Sequence, residues 1–111
     1  MIASKQIKDI LLTLEKPVYH FRAPQNTAAP YFVHGEDSQD ASFYADGVLC
    51  AQALQGTIDY YTQDGEDPTV DKIQNALNAA GVSFWLNSVQ YEDETNLVHY
   101  EWVWEVGNDQ V

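Results

Sequence analysis

The stretch LVHYEWVWEV, residues 97–106, decides how this chain folds. Read with a period of two, Val98, Tyr100, Trp102, Trp104 and Val106 fall on one side. His99, Glu101 and Glu105 fall on the other, with Val103 the only apolar residue among them. That pattern is a half-buried strand. Each large aromatic ring on it buries on the order of 150–250 Å² of surface, so the other elements must pack against this face.

Working outward, VSFWLNSVQY at 82–91 reads as the preceding strand, with Phe84 and Leu86 set against Trp85, Val89 and Tyr91. The acidic turn at 92–96 joins the two as a long antiparallel hairpin. Before it, Asp67, Pro68 and Thr69 open a helix whose apolar face is Val70, Ile73, Leu77 and Ala80, and Gly81 ends it. Residues 48–63, VLCAQALQGTIDYYTQ, read as a long strand with Leu54, Ile58 and Tyr60 on one face and Thr57, Asp59 and Tyr61 on the other. Gly56 is the expected bulge in it, and a helix over Val48–Leu54 is the competing reading. The polar run at 36–47 lacks a helical period and is expected to be a loop rimmed by Asp37, Asp40 and Asp46. PYFVHG at 30–35 and VYHFR at 18–22 are further strands, separated by the loop APQNTAAP. At the amino end, Ile7, Ile10, Leu11 and Leu14 place a stripe on a helix over residues 4–15, with Ser4 as its cap and Pro17 as its stop. Lys5 and Lys8 face away from that stripe. The sum is a single α+β domain over 1–111: a mostly antiparallel sheet of about five strands with two helices packed on one face.

Composition bounds the function. With 5 basic residues against 17 acidic ones and a net charge of −12, the chain lacks the lysines and arginines that neutralise phosphates, so no specific nucleic-acid binding is expected. The lone Cys50 makes no internal disulfide. Ile10–Leu14 is too short for a secretory apolar core, and no run approaches the roughly eighteen residues of a membrane span. The protein is expected in a cytosol or in something assembled there.

No residue pattern announces chemistry. There is no G-x-S-x-G, no cysteine with a base nearby in the pattern and no glycine-rich phosphate loop, so the chain is not expected to be an enzyme. His20, His34 and His99 lie in separate expected strands and are read as satisfied strand histidines; a metal site would form only if the sheet gathered them with a carboxylate. The turns at Asp64–Asp67 and Glu92–Glu94 lack the spacing of an EF-hand loop. Tyr60, Tyr61, Trp85, Tyr100, Trp102 and Trp104 are read as core and interface aromatics, because a base-stacking platform needs a basic groove beside it.

The order of pieces carries a resemblance. An amphipathic helix, VY, an AP-rich loop, PYFVHG, an acidic segment ending in YADG, IDYYT, a DP-opened helix ending in AAG, and a hairpin closing in HYEWVWEV resemble the small tail-terminator proteins of long-tailed phages, also called tail-to-head joining or tail-completion proteins. The likeness runs from Ile7 to Val106. It implies a structural virion protein at the tail–head interface, assembled in the host cytoplasm. Its subunits would close into a hexameric ring on the tail tube, contacting the major tail tube protein and a head-completion or connector protein while DNA passes through. No cofactor, catalytic residue or membrane comes with it. A ring needs two different patches per subunit. The acidic loop with Asp37, Asp40 and Asp46, and the hairpin tip with Glu92, Asp93, Glu94 and Asn96, are the expected contacts with neighbouring subunits or the tube. Two other readings stand beside this one: an acidic DNA mimic that blocks a host nucleic-acid-binding protein, and a head-closure or adaptor protein from the same neck region.

Overall fold

The computed structural model of the protein describes the backbone of residues 2–45 and 48–106 and the side chains of residues 4–37 and 54–106. The elements run α1 (Ile2–Leu12), β1 (Val18–His20), β2 (Tyr31–Ala45), β3 (Val48–Thr62), α2 (Thr69–Ala79), β4 (Ser83–Glu92) and β5 (Leu97–Val106). The strands form one sheet in the order β1-β2-β3-β5-β4, antiparallel throughout except for β1 on β2. Both helices cover the same face, so the α+β architecture is the one the patterns predict. Among the described residues no helix is long and apolar enough to cross a membrane.

The core forms where the sequence places it. Trp102 and Trp104 are fully buried beside Phe32, Ile58 and Tyr60, and Ile7 and Leu11 of α1 and Ile73 and Leu77 of α2 close over them. Burying an indole leaves its N–H in need of a partner. Trp102 Nε1 donates to Gln74 Oε1 on α2 at 3.1 Å, and Trp104 Nε1 donates to the Thr57 carbonyl at 3.2 Å. Trp104 pairs across the ladder with Gly56, and a Cβ at Gly56 would collide with the indole and with the Gly35 carbonyl. Gly56 is therefore a site of close approach and not the expected bulge. The bulge lies opposite, on β2, where Asp37 has no partner between the pairs Glu36–Gly56 and Ser38–Gln55.

The ends of α2 are set by local hydrogen bonds. At α2, Asp67 Oδ1 accepts from the Thr69 amide at 2.9 Å, while Oδ2 accepts from Tyr60 Oη at 2.6 Å and Thr62 Oγ1 at 2.8 Å. Burial pushes this carboxyl up, but those donors outweigh it and hold it below the ordinary value. Gly81 takes a φ of 74° and lets the Val82 amide reach the Leu77 carbonyl, closing the helix in a Schellman turn. α1 begins at Ile2, so Ser4 lies within its first turn and is not its cap. It ends at Leu12, short of residue 15, and Glu15 at a φ of 61° turns the chain before Pro17.

Further sequence expectations change. Residues 36–45 are not a loop: they continue β2, which pairs with β3 as far as Ala45–Val48, and the competing helix over Val48–Leu54 is likewise strand. This two-stranded arm runs past the last pair of β1 with β2 and of β5 with β3, so among the described residues it has no further sheet neighbour. β1 stops at His20, because Phe21 turns away at a φ of 69°. On β4 the alternation slips, since Asn87 bulges between the pairs Leu86–Trp102 and Ser88–Glu101. Val89 and Tyr91 therefore share a face with Phe84 and Leu86, opposite Trp85.

Substituting Gly56→Ala is expected to destabilise the protein by about 1–3 kcal/mol through overpacking against Trp104. Gly65→Ala, where an added methyl meets nothing within 4 Å, is expected to stay within about 0.5 kcal/mol. Urea unfolding followed by tryptophan fluorescence measures both.

Candidate functional site

The described residues expected to make subunit contacts are set apart along a body measuring 52 × 27 × 21 Å. Fifteen residues of β3 at about 3.3 Å each span nearly that whole length. Asp37 is exposed at the root of the arm, and Asp40 lies further along it, opposite Ala53. Asp46 lies outside the described residues. Glu92, Asp93, Glu94 and Asn96 form the β4–β5 turn, where Asn96 takes a φ of 59° and accepts from Tyr91 Oη at 2.8 Å. The two groups do not form one site.

Between them lies an apolar edge. β4 borders the sheet and exposes Trp85 on the helix-free face and Leu86, Val89 and Tyr91 on the other, each 43–60% accessible. An edge strand with free backbone groups and exposed apolar side chains is a template for pairing, and soluble proteins normally blunt it. The sequence marked these residues as apolar. The bulge at Asn87 that gathers three of them on one face was not legible.

The helix-free face carries a polar and aromatic layer. Tyr31, Tyr61 and His99 stack in a row across β2, β3 and β5, with ring centroids 4.9 and 4.3 Å apart. Tyr61 is pushed up to about 12, first by burial and then by the surrounding carboxylates. His99 Nε2 lies 2.6 Å from Asp59 Oδ1, and its Nδ1 lies 3.6 Å from Glu92 Oε2. That bond to Asp59 raises the imidazole above its ordinary value against the pull of burial, and Glu92 and Glu101 reinforce it. Nearer the arm, Asp37 is raised by burial and then by the charges of Glu101 and Asp59. Beside this layer, Phe21, Pro24 and Thr27 of the loop after β1 form a groove with Tyr31, Val33 and Leu97.

The helix-covered face holds a different cluster. His20 and His34 stand side by side on β1 and β2, with ring centroids 4.8 Å apart. His20 Nε2 lies 3.1 Å from Glu36 Oε2 and 3.4 Å from Ser4 Oγ. Only His99 and His20 are satisfied strand histidines. His34 is 2% exposed, and neither of its ring nitrogens has a partner. Burial, with help from the neighbouring His20, lowers its pKa to about 4. The sequence did hold a signal for this cluster: His34 and Glu36 are spaced i, i+2 on a strand, hence on one face.

No protein-family model and no curated protein matches this sequence. Among solved structures, a chain from the virion of a native gene transfer agent (GTA) particle aligns with a TM-score of 0.57 at 14% identity, over 91% of this chain and 90% of that one. This chain shares its fold with that virion chain. At such low identity the likeness concerns backbone architecture and transfers no individual side chain.

The His99–Asp59 pair gives the fold a dependence on pH. Because the folded pKa of His99 is raised, its contribution is complete below the unfolded value near 6.5 and disappears as pH rises through the folded value. Stability is expected to fall by on the order of 1 kcal/mol across that rise. Urea midpoints measured from pH 6 upward should show the loss in the natural protein, and Asp59→Asn should flatten it.

Proposed function

We propose that this protein is a structural virion subunit of the tail-terminator type, closing into a hexameric ring that caps a phage tail tube and joins it to the head. One observation carries the reading: a single subunit presents two different open elements in different places. The arm of β2 and β3 leaves the sheet as a two-stranded ribbon, and such a ribbon is at best marginally stable alone in water. The β4 edge exposes Leu86, Val89 and Tyr91 and lacks a neighbouring strand among the described residues. Two unlike patches make a heterologous contact, and a heterologous contact whose rotation closes makes a ring. In this arrangement the arm of one subunit lies on the β4 edge of the next.

The order of sequence elements that resembles tail terminators supports this reading and supplies the number six. The shared fold with a chain of a gene transfer agent virion supports a virion role. The carboxylates Asp37, Asp59 and Glu101, gathered on the helix-free face, suit a lumen that repels phosphates and lets DNA pass without sticking. The DNA-mimic reading is less well supported, because the described acidic residues are spread over α1, the arm root, the sheet face, the turn before α2 and the β4–β5 turn.

The purified protein is expected to form rings visible by negative-stain electron microscopy, either at high concentration or on the ends of added tail tubes. Leu86→Glu combined with Val89→Glu, and separately replacement of residues 39–52 by an Asn-Gly turn, should abolish rings while leaving a folded monomer by circular dichroism. Rings formed equally well by both variants would overturn the proposed contact. Absence of rings in the natural protein, with tubes left uncapped, would overturn the function. Capping of heads and not of tubes would instead assign the chain to the neighbouring head-closure position.

A further inference from the structure

We infer that His20, His34 and Glu36 form a binding site for a zinc-class divalent transition-metal ion at the root of the arm. One ligand atom from each residue lies within 4.8 Å of the other two. Ligands about 2.0–2.2 Å from a shared tetrahedral ion sit roughly 3.3–3.6 Å apart, so the three must close by little more than 1 Å, within reach of side-chain rotation. Two imidazoles and one carboxylate are a recognised zinc donor set, and they leave a fourth position for water or for Ser4 Oγ, which lies 3.4 Å from His20 Nε2. Nitrogen donors select this class of ion over magnesium and calcium, which prefer all-oxygen shells.

The second observation is independent of the clustering. Both ring nitrogens of His34 are buried and make no hydrogen bond, and an unsatisfied buried polar group costs about 1–3 kcal/mol. Among the described residues, His34 alone has fully buried side-chain nitrogen or oxygen atoms without a partner. An ion shared with His20 and Glu36 gives His34 a ligand bond where the protein offers it nothing else. The placement also has a mechanical use, because β1 is held to the sheet by only three residue pairs. An ion bridging His20 on β1 to His34 and Glu36 on β2 would staple that short strand one residue before the Asp37 bulge, where the arm begins. This inference does not rest on ring formation and is tested on the isolated chain.

The test is titration of chelator-treated full-length protein with Co(II), then Zn(II), followed by visible absorption and by competition with a chromogenic chelator. One equivalent of Co(II) is expected to bind with the intense absorption of a four-coordinate site and to be displaced by Zn(II). Losing a partner one shell further out already weakens metal sites by about 10–100-fold, so His20→Ala and Glu36→Gln should each weaken binding at least tenfold. Both residues lie at the margin of the core, and thermal unfolding in chelator confirms that the variants fold. Asp59→Asn, on the opposite face of the sheet, should leave the affinity unchanged. Non-saturable binding, or a single equivalent held equally by the His20→Ala and Glu36→Gln variants, would mean the ion sits on the general acidic surface and would overturn the site.

Discussion

The contact on which this structure depends is that of the Trp104 indole with the bare backbone of Gly56. It brings β5 close against β3 at mid-sheet, with the Trp104 N–H satisfied one residue further along at the Thr57 carbonyl. Trp102 then fills the next row and is tied to α2 through Gln74. Once two adjacent rows are occupied by indoles, the helices have an apolar floor to settle on, and α1 and α2 bury Ile7, Leu11, Ile73 and Leu77 there. A side chain at position 56 would lift Trp104 away from the strand and loosen both rows together.

From that core the molecule grows in unequal directions. On the helix-covered face the helices bury Trp102 and Trp104 but leave Leu86, Val89 and Tyr91 exposed. On the other face there is no helix among the described residues, and the surface is closed instead by a row of stacked rings and by hydrogen-bonded charge: Asn87 donates to Glu101 at 2.7 Å and His99 pairs with Asp59. The first region is an exposed apolar surface that calls for a partner. The polar groups of the second are hydrogen-bonded to one another.

The parts of the fold that were legible in the sequence are those where one face is buried and the period shows. β5, α2 with its Asp67 start and Gly81 stop, and the alternation from Leu54 to Tyr61 all carry that imprint. The arm was not legible, because its serines, aspartates and glutamine, without a helical or alternating period, read as a loop. The slip at Asn87 was also invisible: a bulge is a relation between two strands, and a single sequence shows only one of them at a time. The histidine cluster falls between these cases. His34 and Glu36 share a face by spacing alone, but bringing His20 beside them required the parallel pairing of β1, which local pattern does not announce.

β3 has a further consequence. It runs from the arm into the centre of the sheet as a single fifteen-residue strand with one register against β5 over Leu54–Thr62. A load applied along the arm therefore travels down the strand axis, at right angles to the cross-strand hydrogen bonds. Those bonds are sheared together instead of being peeled one after another, so the body resists tension on that axis far better than a pull across it.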